Sequence, residues 1–168
     1  AGGALYCTYM KDAVNKVYQV DKTGKQLGEI ELPGLGSANG FSSKKEEKET
    51  YFVFTSYTTP ATIYKLDIAT GKSSVYKQPN VQFKASDYES KQVFYPSKDG
   101  TKIPMILTYK KGLQLNGKNP CLLYGYGGFS VSLTPYFSTS NIILLENGGV
   151  FAVANLRGGG EYGEDWHN

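Results

Sequence analysis

The chain has 168 residues, of which 40% are hydrophobic and 14% aromatic, enough for one sizeable core or two small ones. Its net charge of +3 is weak and its basic residues are scattered, which argues against a nucleic-acid-binding stripe. No apolar run reaches the length of a transmembrane helix. The spacing of Cys7 and Cys121 is not that of metal ligands. A long-range disulfide between them is one alternative, but the pattern favours two unpaired thiols.

The first half of the chain predicts short antiparallel strands. In each of two sets, an aspartate near a strand end is followed by a Thr-Gly-Lys turn, at Asp21–Lys25 and again at Asp67–Lys72. The recurrence favours blades of a β-propeller, and a plain antiparallel sandwich is the alternative. The predicted strands are 5–10, 16–20, 26–32, 50–57, 62–68 and 73–77.

The second half predicts the opening of an α/β domain. Strands at 91–95 and 102–109 flank Asp99-Gly100, a dipeptide typical of hairpins. An apolar strand at 120–124 leads to a helix at 138–147, which Ser138 is expected to cap. Its apolar face is predicted to contain Ile142, Ile143 and Leu145. A near-continuously apolar strand at 150–155 completes a βαβ unit with two parallel strands.

A glycine-rich motif, Tyr124-Gly125-Tyr126-Gly127-Gly128-Phe129, follows the strand at 120–124. Open α/β sheets bind ligands at this end of their strands, and in α/β hydrolases this loop supplies an oxyanion donor. Glycine permits close backbone approach, and tyrosine adds a hydroxyl donor. The alternative is a glycine-rich turn whose aromatic residues belong to the core.

A second motif, Arg157-Gly158-Gly159-Gly160-Glu161-Tyr162-Gly163, formally contains the dinucleotide fingerprint G-x-G-x-x-G. No apolar helix opens at its third glycine, which favours instead a loop at the mouth of the same crevice, held through Arg157 and Glu161. His167 is the only histidine. No Gly-x-Ser-x-Gly elbow precedes it, although hydrolases place their catalytic histidine after the nucleophile, so a surface or supporting role is favoured.

These motifs resemble those of the prolyl oligopeptidase family. The matching segments are LYGYGGF at 123–129, AVANLRGGGEYGE at 152–164 with Trp166-His167, and YPSKDGTKIPM at 95–105. The resemblance is strong over 51–168 and looser over 5–50, which is similar to late propeller blades. Basic-residue oligopeptidases share the arginine–triple-glycine loop, but Gly127-Gly128-Phe129 and Tyr162 favour the proline-specific branch.

The resemblance implies a serine-type endopeptidase that hydrolyses short peptides after proline, with a seven-bladed propeller capping an α/β-hydrolase domain. Residues 1–79 would be the last blades, 80–90 a connector and 91–168 the start of the hydrolase domain, truncated at both ends. Tyr126 is implied to stabilise the oxyanion and Phe129 to form a wall of the substrate pocket. The Ser, Asp and His of the triad are expected beyond Asn168, leaving this piece inactive alone.

The hydrolase topology also implies that strand 150–155 lies between strands 102–109 and 120–124, with the outer edge of 120–124 open. No cofactor or metal is expected. The expected partners are short peptides, without nucleic acid or membrane, and the full-length protein is expected to be a monomer. A cytoplasmic location is favoured, or a periplasmic one if a signal peptide precedes the chain. The alternatives are a related oligopeptidase (basic-residue, acylaminoacyl or dipeptidyl), a non-catalytic propeller binding module and a nucleotide-binding protein.

Overall fold

A computed structural model describes residues 1–167, which form three sheets and two α-helices. The elements, numbered in chain order, are β1 (Leu5–Lys11), β2 (Val14–Val20), β3 (Gln26–Ile30), β4 (Ser37–Gly40), β5 (Glu49–Thr55), β6 (Thr62–Asp67), β7 (Ser73–Lys77), β8 (Tyr88–Pro96), β9 (Lys102–Lys110), β10 (Cys121–Gly125), α1 (Thr139–Glu146), β11 (Val150–Ala154) and α2 (Glu164–His167). A short 3-10 turn at Ala85–Asp87 precedes β8.

The first half folds into two consecutive antiparallel sheets, ordered β1-β2-β3 and β4-β5-β6-β7. Sequence reasoning missed β4, since Ser, Ala, Asn and Gly have little preference for strands. Its flanking glycines explain the pairing with β5. A Cβ atom added at Gly36 would lie 2.4 Å from the Phe54 ring, and one at Gly40 would lie 2.9 Å from the Tyr51 carbonyl oxygen.

The two aspartate turns predicted from sequence have the same chemistry. Asp21 Oδ1 accepts hydrogen bonds from the Thr23 amide at 2.8 Å and the Thr23 hydroxyl at 2.7 Å. Asp67 Oδ1 accepts the corresponding pair from Thr70, each at 2.8 Å. These bonds lower the pKa of both carboxyl groups, because they favour the charged form. The recurrence of the turn in the two sheets is therefore confirmed.

The third sheet has the order β10-β11-β9-β8. β10 runs parallel to β11, β11 is antiparallel to β9, and β8 and β9 form a hairpin across Asp99-Gly100. The predicted position of β11 between β9 and β10 is confirmed. β10 forms the sheet edge among the described residues, as predicted, and all five of its residues are exposed. β8 begins at Tyr88, earlier than predicted, because Tyr88 already pairs with Lys110.

Helix α1 differs in two details from the sequence prediction. Ser138 precedes the helix, but its side chain caps no backbone amide; its hydroxyl lies 2.8 Å from that of Ser140. Ile142 and Leu145, three residues apart on one face, are buried, whereas Ile143 points away and is 64% exposed. The apolar face is therefore narrower than predicted.

The larger of two hydrophobic clusters joins both halves of the chain. Val14 and Tyr57 from the first half pack with Ile106, Leu145 and Phe151 from the second. The Tyr57 ring meets Phe151 edge-on, with 5.4 Å between ring centroids, and burial raises the pKa of the Tyr57 hydroxyl. The third sheet is thereby fixed against the first two. Within residues 1–167, no helix combines the length and apolar character needed to cross a membrane.

Candidate active-site loops

Two glycine-rich loops leave the same edge of the third sheet. The first glycine loop, residues 126–133, follows β10, and the second glycine loop, residues 156–163, follows β11. Because these neighbouring strands are parallel, their carboxyl ends lie side by side. The two motifs singled out in the sequence are thus brought together.

The backbones of the two loops approach so closely that side chains would not fit between them. A Cβ atom added at Gly158 would lie 2.4 Å from the Gly127 carbonyl oxygen, and one at Gly160 would lie 2.5 Å from the Ser130 carbonyl oxygen. The Ser130 amide donates a hydrogen bond to the Gly158 carbonyl oxygen at 3.1 Å. The glycines are therefore required by contact between the loops.

The packing of the loops leaves little support for a dinucleotide site. The space beside Gly158 and Gly160 is filled by the first glycine loop, where a pyrophosphate would have to approach. Within residues 1–167, no group of three or more potential ligand side chains is placed to hold a metal ion.

The first glycine loop carries backbone strain at its tip. Phe129 and Ser130 have φ angles of 53° and 54°, a left-handed conformation that costs non-glycine residues on the order of 1–3 kcal/mol each. The strained tip holds the Phe129 ring outward, 85% exposed. Tyr126 is 50% exposed, and its hydroxyl has no hydrogen-bond partner among residues 1–167. Neither aromatic ring is buried among residues 1–167.

Glu161 and Asn155 fix the far end of the first glycine loop. Glu161 Oε1 accepts hydrogen bonds from the Leu133 amide at 2.9 Å and from Asn155 Nδ2 at 3.1 Å. Asn155 Nδ2 also donates to the Leu133 carbonyl oxygen at 2.8 Å. Both side chains are almost fully buried. Glu161 forms hydrogen bonds as predicted, but they tie its own loop to the first glycine loop as well as to Asn155. Asn155 was missed because it reads as the last residue of an apolar strand.

Arg157 connects the second glycine loop to the β8–β9 hairpin. Its guanidinium contacts Asp99 Oδ2 at 2.5 Å and the Ser97 hydroxyl at 3.0 Å, which confirms its predicted hydrogen-bonding role. The pKa of Asp99 is lowered to about 2, first by the Thr101 backbone amide and then by Arg157. Sequence reasoning placed Asp99 only in a turn.

The last described residues support the base of the second glycine loop. The Gly158 amide donates to the Trp166 carbonyl oxygen at 2.7 Å, and Trp166 Nε1 donates to the Leu156 carbonyl oxygen at 3.1 Å. His167 Nδ1 lies 3.0 Å from the Gly158 carbonyl oxygen. This is the supporting role favoured for His167 in the sequence.

The second glycine loop also touches the first half of the chain. The Tyr162 hydroxyl donates to Asp12 Oδ1 at 2.6 Å. Burial and then the Asp12 carboxylate raise the pKa of Tyr162. Gln92 Nε2 donates to the Asp12 carbonyl oxygen. The turn between β1 and β2 is thus attached both to this loop and to the third sheet.

Comparison with known proteins agrees with this arrangement. Residues 1–79 match the N-terminal β-propeller domain of prolyl oligopeptidase, and residues 135–168 match the prolyl oligopeptidase family. Prolyl endopeptidases of Elizabethkingia meningoseptica and Elizabethkingia miricola are 56% and 58% identical over 167 residues. The chain belongs to the prolyl oligopeptidase family. Its fold is that of propeller blades followed by the start of the peptidase domain.

Solved structures of this family have the same fold. A prolyl endopeptidase structure matches with a TM-score of 0.87 at 46% identity, covering 99% of this chain and 25% of the other. Prolyl oligopeptidase B of Galerina marginata matches with a TM-score of 0.88 at 34% identity, over 99% of this chain and 24% of that one. That enzyme has also been solved bound to a 25-residue macrocyclization substrate. The match to each Elizabethkingia relative spans 99% of this chain but only 24% of the relative's length.

We predict that the contacts of Asp99 with the Thr101 backbone amide and with Arg157 make stability depend on pH in the acid range. The pKa of Asp99 in the folded protein is about 2, below its ordinary value of 3.8. Its stabilising effect is therefore complete above the unfolded pKa and is lost as the pH falls through about 2. Asp99→Asn should lower the urea midpoint at neutral pH, and its difference from wild type should shrink between about pH 4 and pH 2.

Asp165→Asn is the matched control, since Asp165 is exposed and has no ion-pair partner within residues 1–167. It should leave the urea midpoint near wild type. An Asp99→Asn difference that stayed constant across this pH range would contradict a stabilising role for the contacts of the Asp99 carboxylate.

Proposed function

We propose that this chain is part of a serine-type endopeptidase that hydrolyses short peptides after proline. In this proposal residues 1–79 are propeller blades, 80–90 a connector whose last residues already belong to β8 of the third sheet, and 91–168 the rest of the start of the hydrolase domain. The first glycine loop supplies the oxyanion donor through Tyr126 and a wall of the substrate pocket through Phe129. The observation that carries the proposal is a rigidly packed loop whose Tyr126 hydroxyl has no partner within residues 1–167.

The chemistry assigned to Tyr126 is transition-state stabilisation. When a serine attacks a peptide carbonyl, negative charge develops on the carbonyl oxygen, and a preorganised donor lowers the barrier. A phenol retains its proton at neutral pH and can donate it as a hydrogen bond. Tyr126 follows directly on Gly125, the last residue of β10, so the sheet holds the start of its loop.

The proposal leaves nucleophile and base to residues outside this sequence. The 168 residues contain no Gly-x-Ser-x-Gly elbow. An oxyanion donor without a nucleophile forms no acyl-enzyme, so the chain alone is expected to be inactive. Tests of catalysis therefore use the complete peptidase. The prolyl endopeptidases among the relatives support proline specificity over basic-residue specificity.

Replacing Tyr126 by phenylalanine in the complete peptidase should lower kcat by about 100- to 1,000-fold. The substitution keeps the ring and removes only the donor. KM should change little, since the donor acts mainly on charge that develops in the transition state. Steady-state kinetics with a proline-containing chromogenic peptide, with folding checked by thermal melting, measure both. A kcat near wild type would make Tyr126 a structural residue.

Replacing Phe129 by alanine should act on substrate binding. Burying an aromatic ring against substrate contributes on the order of 2–3 kcal/mol, so KM should rise by about 10-fold or more with little change in kcat. The measurement is KM over several proline peptides of different length. Phe94→Ala, which removes another exposed ring from β8, serves as the control and should leave KM unchanged. Equal KM for Phe129→Ala and wild type would exclude the pocket role.

A further inference from the structure

A buried polar network joins the two glycine loops away from the proposed reacting groups. The Glu161 carboxylate is 5% exposed and Asn155 is 1% exposed. Between them they bind both backbone polar groups of Leu133, whose amide reaches Glu161 at 2.9 Å and whose carbonyl reaches Asn155 at 2.8 Å. Burying a carboxylate is costly, so its place in this packed loop calls for an explanation.

The position of Tyr126 depends on how its loop is held. Its hydroxyl has no hydrogen-bond partner within residues 1–167, so no side-chain contact of that kind orients the phenol. The loop is held at three places: at its start by β10, in the middle by the bond from Ser130 to Gly158, and at its end by Glu161 through Leu133. The strained φ angles of Phe129 and Ser130 persist only if such anchors hold the loop.

We infer that Glu161 is a positioning residue for the oxyanion donor, acting on Tyr126 through the fixed end of the first glycine loop at Leu133. The inference rests on the proposed role of Tyr126. Glu161 is not expected to touch substrate, because its contacts are the backbone of Leu133 and the side chain of Asn155. Losing its bonds allows the loop to shift, and a displacement of about 1 Å at a catalytic group can cost about 100-fold in rate.

The inferred role of Glu161 depends on its acceptor oxygen more than on its charge. Both hydrogen bonds to Glu161 end on Oε1. Glu161 Oε2 and Asn155 Oδ1 are both buried without a hydrogen-bond partner within residues 1–167. A Cβ atom added at Gly159 would lie 2.2 Å from Glu161 Oε2. Glu161→Gln keeps an acceptor in the place of Oε1, and Glu161→Asp withdraws it by one methylene. Gln should therefore preserve activity better than Asp.

The test is a double-mutant cycle in the complete peptidase. Glu161→Ala should lower kcat for a proline chromogenic peptide by about 10- to 100-fold, Glu161→Asp by less, and Glu161→Gln by no more than about threefold. In a Tyr126→Phe background, Glu161→Ala should cost no more than about threefold further, because the donor that it positions is already absent. Glu164→Ala removes an exposed carboxylate three residues on and should leave kcat unchanged.

The cycle separates the possible failures. If Glu161 only stabilises the fold, Glu161→Ala should lower kcat by the same factor in the Tyr126→Phe background as in wild type. That result would overturn the inference. If Tyr126→Phe alone leaves kcat unchanged, the proposed function fails and not merely the role of Glu161. Should Glu161→Ala not fold, Glu161→Asp takes its place in the same cycle. A decrease in kcat that is smaller in the Tyr126→Phe background supports positioning, and an equal decrease in both backgrounds overturns it.

Discussion

The close approach of two backbones, at Gly127 and Gly158, is the constraint on which the site depends. Parallel pairing of β10 and β11 brings their following loops side by side, and only residues without Cβ atoms allow them to touch, with 2.4 Å between an added Gly158 Cβ and the Gly127 carbonyl oxygen. Beyond Gly127, Phe129 and Ser130 have a left-handed backbone. That backbone in turn turns the Phe129 ring outward, while Tyr126 stays at the end of the strand.

The second glycine loop receives support from both the first and the third sheet. Arg157 connects it to the β8–β9 hairpin, and Tyr162 connects it to Asp12 at the turn between β1 and β2. The cluster around Tyr57 and Phe151 fixes the same two halves through apolar packing. Blades and sheet therefore hold the loops jointly, so a change at their boundary is expected to reach the proposed site.

Local patterns predicted most of the fold, because strands, aspartate turns and the βαβ unit each depend on neighbouring residues. The short strand β4 was missed because its pairing depends on close contacts of Gly36 and Gly40 with β5, which no local pattern contains. Both glycine motifs were found, but not their mutual contact. The burial of Asn155 and the exposure of Phe129 likewise follow from tertiary packing. The only sequence signal for the role of Asn155 was its position as a polar residue at the end of an apolar strand.

Amide hydrogen exchange of Ser130 tests the contact between the loops without relying on catalysis. Gly158 and Gly163 both have positive φ angles, of 92° and 79°, so alanine is strained at either position. Only at Gly158 would the new Cβ meet the other loop, since nothing lies within 4 Å at Gly163. Gly158→Ala should therefore speed exchange of the Ser130 amide by about 10-fold or more, while Gly163→Ala leaves it protected. Equal protection of Ser130 in the two variants would contradict the view that contact between the loops holds the site.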